Sequence, residues 1–287
     1  MNHTPGKIRL AALDMDGTLF NNKLEITPKT QAAIKAAIAG GAQVVISTGR
    51  PYIGLPVDAL TELGIRYAIT ANGSAIYRLP EKECIFSNCM RPETVAPIIR
   101  YLQTKDIQYD AFIGGNRYSE EHGQDVIERL TQMPVATRSY IKASGILTEN
   151  LADFILERDL EVQKMTLNFY PLPDGSYKDR VDVWNHLKAN PQVTVLSGGY
   201  QNVEFTKAGT TKAMGLRFLA EMFEIPIEET MAVGDSQNDM DIMQAAGIGV
   251  AMENATDEVK AIADFVTKSN LEDGVGYAIE KFILASF

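Results

Sequence analysis

The chain has 287 residues, 45% of them apolar and 22% charged, with 27 basic against 37 acidic side chains and a net charge of −10. That length suits about two domains and a core that needs no disulfide or metal to hold it together. The acidic balance argues against a nucleic-acid or anionic-membrane partner, and it leaves room for a small anionic ligand at a locally positive site.

Residues 1–9 hold no long apolar stretch, so no secretory signal is expected. No run approaches the ~18 apolar residues of a membrane span. Residues 8–13 are mostly apolar and read as a buried strand, which stops at Asp14-Met15-Asp16-Gly17-Thr18. Thr27 and Pro28 offer a cap and a first turn for a helix that Gly40-Gly41 ends. Residues 43–47 form a second strand, stopping at Thr48-Gly49-Arg50-Pro51. Strand, helix, strand in this order is a parallel crossover. A helix over 58–63 and a strand over 67–70 follow, and the strand ends at Asn72-Gly73, which reads first as a turn.

From about 84 to 202 the strands look longer and more alternating, at 108–113, 116–120, 162–169, 192–196 and 201–205. Helices are expected at 93–104, 149–158 and 177–189, with hairpin turns at Gly114-Gly115-Asn116 and Gly198-Gly199. The two cysteines, Cys84 and Cys89, make no disulfide framework and lack the partners of a zinc site. With no leader, they suit reduced thiols in a cytoplasmic protein.

The α/β alternation then resumes. Thr210 or Thr211 caps a helix through 222, a strand over 230–233 ends in Gly234-Asp235, and a helix spans 239–246. A strand at 248–252, a helix capped by Thr256, a strand at 265–267 and a helix over 275–284 complete the chain. The expected fold is α/β, a Rossmann-like parallel-sheet core formed by 1–83 and 203–287, interrupted by an α+β domain at 84–202.

Ligands of open parallel sheets sit beyond the carboxyl ends of the strands. Those ends carry Asp14 and Asp16, then Thr48, Gly49 and Arg50, then Asp235 with Ser236, Asn238 and Asp239; Lys212 begins a helix nearby. Crowded aspartates raise one another's pKa unless a cation compensates. Oxygen ligands with few histidines or cysteines favour Mg²⁺, which commonly shares its shell with substrate phosphate. Lys212, Thr48 and the amides near Gly49 can donate to that phosphate. Asp14 could attack phosphorus and form an aspartyl-phosphate, with Asp16 moving the protons. Gly17 permits a sharp turn after the strand, and Thr18 can tie the loop down. A Walker loop is absent, as is a Gly-x-Gly-x-x-Gly after the first strand, and Gly234-Asp235-Ser236-Gln237-Asn238 lacks the last glycine and the histidine partner of a nucleophile elbow.

Asp14-Met15-Asp16-Gly17-Thr18-Leu19, Thr48-Gly49-Arg50-Pro51, Lys212 and Gly234-Asp235-Ser236-Gln237-Asn238-Asp239 resemble the four ordered motifs of the haloacid dehalogenase-like hydrolases. Residues 251–255 (Ala-Met-Glu-Asn-Ala) and 268–275 look like the Cof-type phosphatases, their sugar-phosphatase members in particular. The resemblance implies an Mg²⁺-dependent phosphatase acting on small phosphorylated substrates. It makes Asp14 the nucleophile, Asp16 the acid/base, and Asp14, the Asp16 carbonyl and Asp235 the metal ligands, supported by Asp239. It places Met15, Thr48, Gly49, Arg50, Lys212 and Asn238 on phosphate or substrate. The family usually has glycine after this lysine, where Ala213 stands, and Lys207 lies close by. The insert corresponds to a cap that covers the site and shapes substrate choice, with Arg117, Gly198, Gly199, Tyr200 and Glu204 as candidates to face a sugar. A mutase or phosphotransferase would use the same core with water kept out, and a phosphate-sensing module is the alternative from outside enzymology.

Overall fold

The computed structural model describes residues 8–286, so His3 and the stretch scanned for a signal up to Lys7 lie outside them. The strands in chain order are β1 (Leu10–Leu13), β2 (Gln43–Ser47), β3 (Tyr67–Thr70), β4 (Ala75–Arg78), β5 (Glu83–Ser87), β6 (Gln108–Ile113), β7 (Asn116–Glu120), β8 (Ile146–Thr148), β9 (Lys164–Asn168), β10 (Val193–Ser197), β11 (Val203–Lys207), β12 (Thr230–Gly234), β13 (Ile248–Ala251) and β14 (Phe265–Val266). They form an eight-stranded sheet, ordered β14-β13-β12-β1-β2-β3-β4-β5, and a six-stranded sheet, ordered β10-β11-β9-β6-β7-β8.

Among the described residues, the first compact unit takes 8–50, 54–86 and 211–286. Its strands from β14 to β3 pair in parallel, and β4 returns antiparallel to β3. All four residues of β1 and all five of β12 are buried, as continuous apolar runs in a sheet covered on both faces should be. Burying a side chain such as Leu10 or Leu13 contributes roughly 1.5–3 kcal/mol. Thr27 caps helix Pro28–Ala39 by accepting from Thr30 N, and Thr256 caps Asp257–Ile262 through Val259 N. Thr211 stands at the start of helix Lys212–Met222 but makes no side-chain cap bond, and the Thr210 hydroxyl instead accepts from Asn88. Asn72 and Gly73 do form a turn after β3, with both residues at positive φ. A Cβ at Gly73 would lie 2.1 Å from the Thr211 carbonyl, so only glycine fits where this turn meets the start of that helix.

The second unit takes residues 51–53 and 87–210. Its sheet is antiparallel except for the parallel β7–β8 pair. One face carries the apolar core, including Tyr109, Met165, Leu167, Val203 and Phe205, with helix residues Val95, Ile99 and Leu151. The expected start of the core at residue 203 falls inside this unit: Val203–Phe205 pair with Leu167–Met165, and that ladder keeps β11 with the second sheet. The expected break at 84 falls inside β5, which belongs to the first sheet. Four elements go beyond the sequence reading. They are the return strands β4 and β5, helix Val135–Ser144, which buries only Ile141 and so has no apolar stripe, and the three-residue strand β8.

Candidate active site

Strands β1, β2 and β12 lie side by side, so their carboxyl ends deliver Asp14, Thr48 and Asp235 to one edge of the sheet. Helix Lys212–Met222 brings Lys212, whose side chain is wholly buried. Its Nζ donates to Asp14 Oδ1 at 2.7 Å and to Asp239 Oδ1 at 2.6 Å. The other oxygen of Asp239 accepts from Asp235 N at 3.2 Å and Ser236 N at 3.1 Å. Asp239 is therefore both the acid of a helix start and a support for the lysine. Thr18 does tie its loop down, donating to Asp235 Oδ1 at 2.9 Å.

Asp14, Asp235 and Asp239 each offer an oxygen within 4.8 Å of the others. One ammonium faces three carboxylates, and the imbalance is visible in their acidities. Burial, then the charge of Asp239, holds Asp14 well above the usual carboxylate range, against the opposing pull of Lys212. Burial pushes Asp235 up to about 6, the Thr18 hydrogen bond opposes it, and Asp239 adds to it. Burial alone would lower Lys212, but Asp14 and Asp239 overcome it and hold the ammonium above its ordinary value. Such a set, all oxygen, can hold a hard divalent cation. Gly17 closes the cluster on one side: at φ +80°, a Cβ there would sit 2.5 Å from Asp235 Oδ2.

A second group of polar residues adjoins it. Asn238 Nδ2 donates to Asn72 Oδ1 at 3.0 Å, and Ser236 Oγ donates to Asn238 Oδ1 at 2.7 Å. A Cβ on Gly49 would lie 2.8 Å from Asn72 Oδ1, so Gly49, Asn72 and Asn238 are in one place. Thr48 accepts from Arg50 N at 3.1 Å through its hydroxyl. Asn72 enters the site although its sequence context reads as turn chemistry; its position at the end of β3 was the signal.

Two residues are used differently from expectation. The Arg50 guanidinium holds both carboxylate oxygens of Asp16, Nε at 2.8 Å and Nη2 at 2.5 Å, and its Nη1 donates to Gly54 O at 3.0 Å. Arg50 thus engages Asp16 rather than standing open toward a phosphate. The Asp16 side chain is 52% exposed and lies outside the three-carboxylate cluster. The Met15 side chain is fully buried, which leaves only its main chain for a ligand.

Lys207 lies at the exposed end of β11 in the second unit, so Lys212 is the lysine of the cluster. In that unit Arg117 is buried, and its Nη2 donates to the carbonyls of Tyr140 and Ile141. Glu204 accepts from the buried Lys164 at 2.7 Å. Both are committed inside their own unit, whereas Tyr200 is exposed on the loop that holds Gly198 and Gly199.

The model of the haloacid dehalogenase-like hydrolase family matches residues 11–279, the span that holds all of these positions. The chain belongs to the haloacid dehalogenase-like hydrolases. Within this family it is a Cof-type phosphatase, an enzyme that hydrolyses phosphomonoesters. It is 30% identical to Phosphatase YwpJ of Bacillus subtilis over 96% of this chain and all of that protein. It is 31% identical to the 5-amino-6-(5-phospho-D-ribitylamino)uracil phosphatase YcsE of Bacillus subtilis, over 96% of each chain. Among solved structures, the subclass IIB sugar phosphatase BT4131 superposes with a TM-score of 0.76 at 26% identity, covering 96% of this chain and 98% of that one. Among the described residues no helix is long and apolar enough to cross a membrane.

Proposed function

We propose that this phosphatase requires Mg²⁺ and acts on small phosphomonoesters, with sugar phosphates as its preferred class, through an aspartyl-phosphate on Asp14. The observation that carries the reading is Lys212 held between Asp14 and Asp239, with Asp235 within 4.8 Å. Asp14 and Asp235 would hold the cation, with the Asp16 carbonyl beside them and Asp239 in support. The cation would supply charge neutralisation on the phosphoryl oxygens.

The chain's own residues do the rest. Thr48, the Gly49 amide, Lys212 and Asn238 bind and orient the phosphoryl group. A carboxylate oxygen of Asp14 attacks phosphorus as the ester oxygen leaves, and Asp16 gives that oxygen its proton. Asp16 then takes a proton from water as the water's oxygen displaces Asp14 from phosphorus, which restores both aspartates and releases phosphate. Arg50 orients Asp16 through both of its oxygens.

Substrate choice is assigned to the inserted α+β unit and hydrolysis to the discontinuous one, in the cytoplasm. Sugar phosphates are favoured by the likeness to BT4131; the likeness to YcsE adds a phosphoribityl compound to the candidates. Phosphate release from a panel of hexose and pentose phosphates and 5-amino-6-(5-phospho-D-ribitylamino)uracil tests this. Turnover is expected with at least one sugar phosphate, lost with a chelator and regained with Mg²⁺. Activity indifferent to the chelator would sink the metal assignment.

A further inference from the structure

The turn that follows Asp14 is held by its own amides and by side chains from the far end of the chain. Within it Leu19 N donates to Asp14 O at 3.2 Å and Phe20 N to Met15 O at 2.9 Å. The carbonyls of Gly17 and Phe20 are taken by two asparagines. Asn254 Nδ2 donates to Gly17 O at 2.8 Å, and Asn270 Nδ2 donates to Phe20 O at 2.8 Å. The two are linked, because Asn254 Oδ1 accepts from Asn270 N at 2.9 Å. Three hydrogen bonds thus form a continuous strap whose ends sit on carbonyls of one turn. A little further on, Thr27 and Thr30, at the start of helix Pro28–Ala39, both donate to Asp273 Oδ1, which joins the 268–275 segment to that helix.

Both asparagines lie in the segments 251–255 and 268–275, which the chemistry of the carboxylate cluster does not use. Their grip falls at a sensitive place. Gly17 follows Asp16 directly, it packs against Asp235, and Thr18 donates to Asp235. Tilting the Gly17 peptide would move the Asp16 side chain and the Thr18–Asp235 bond together. A misplacement of about 1 Å at a reacting group can cost 10²-fold in rate, even from a residue far from the chemistry.

We propose that Asn254 and Asn270 are positioning residues that hold the 15–20 turn in the geometry Asp16 needs; the catalytic half of this rests on the function proposed above. Asn254→Ala and Asn270→Ala should each lower kcat about 10- to 100-fold with KM changed by less than about twofold. The amides of Leu19 and Phe20 should exchange with deuterium at least about tenfold faster in the same variants, without metal or substrate, while helix Lys212–Met222 stays protected.

Asn254→Asp separates the roles, since it keeps the acceptor for Asn270 N but offers Gly17 O no donor. It should lose as much kcat as Asn254→Ala; an Asn254 that merely braced the 268–275 segment would leave it fully active. Wild-type exchange rates and wild-type kcat in Asn254→Ala, or a fully active Asn254→Asp, would overturn the proposal. Faster exchange at Leu19 and Phe20 in a protein that releases phosphate from no substrate would support the strap and refute the phosphatase mechanism separately.

Discussion

Two buried clusters of charge in this protein meet opposite fates. In the second unit Asp110 accepts from Gln108 Nε2 at 2.8 Å and from Ser119, with Arg117 Nε at 3.7 Å. Gln108 is braced in turn by Asn168. Burial raises the pKa of Asp110, while Arg117, Ser119, Gln108 and Lys164 all pull it back. In the first unit the neighbours of Asp14 are divided: Lys212 favours the anion while Asp239 and Asp235 oppose it. A buried carboxylate ringed by donors is finished as it stands. One crowded by its own kind calls for a cation from outside, and that demand marks the site as functional.

The sharpest way to break this contrast is to neutralise each aspartate. Asp14→Asn should lower kcat by about 10³-fold or more, the loss expected of the proposed nucleophile, and should leave the melting temperature unchanged or higher. Asp110→Asn should do the reverse. Turnover should stay within about twofold while stability falls by about 1–3 kcal/mol, because Arg117 loses its buried counter-charge. Loss of turnover in Asp110→Asn, measured beside urea denaturation, would erase the distinction.

Removing the single cation comes next. Lys212→Met leaves buried carboxylates without their ammonium and should cost about 3–5 kcal/mol at pH 8. Part of that loss should return at pH 5, as the carboxylates take up protons.

Asp235 sets a pH dependence. Its folded-state pKa is about 6 against an ordinary 3.8. Below 3.8 it is protonated in both states, and between 3.8 and 6 the unfolded chain loses its proton first. Stability therefore falls as pH rises through that window, by about 3 kcal/mol at most above it. Metal-free protein should melt higher at pH 5 than at pH 8. Mg²⁺ at a hundredfold over its Kd should add about 2.7 kcal/mol at pH 8 and little at pH 5. Melting curves with and without Mg²⁺ that ignore pH would contradict the assignment. The smallest effect is expected from Thr18→Val, which loses its bond to Asp235: about 1 kcal/mol of stability, and Mg²⁺ binding several-fold weaker by calorimetry.

The sequence was legible where one residue type can satisfy only one demand. The runs of β1, β2 and β12 are apolar at their centres, so their burial and parallel pairing follow, and the residues at their carboxyl ends follow from the pairing. Helix Val135–Ser144 was invisible because it buries too little to leave a stripe. Side-chain partnerships were harder. Arg50 beside a phosphate motif reads as a phosphate ligand, and only the folded loop brings Asp16 within 2.5 Å of it. Asn72 and Asn238 meet although 166 positions separate them, and Asn254 reaches Gly17 across 237. An amide side chain can serve a turn, a cap or a ligand equally well, so its residue type does not announce which.

The place of β1 between β2 and β12 has a consequence for the newborn protein. A chain emerging from the ribosome exposes Asp14 and Asp16 early, and β1 can pair with β2, but its second neighbour β12 is missing until residue 234 has been made. Residues 87–210 are complete before that and can fold while synthesis continues. Lys212, Asp235 and Asp239 come only after them, so the carboxylate cluster closes around its lysine late in synthesis. A chain terminated before residue 212 would carry Asp14 without the lysine and the carboxylates that surround it, and truncation would leave that cluster unformed.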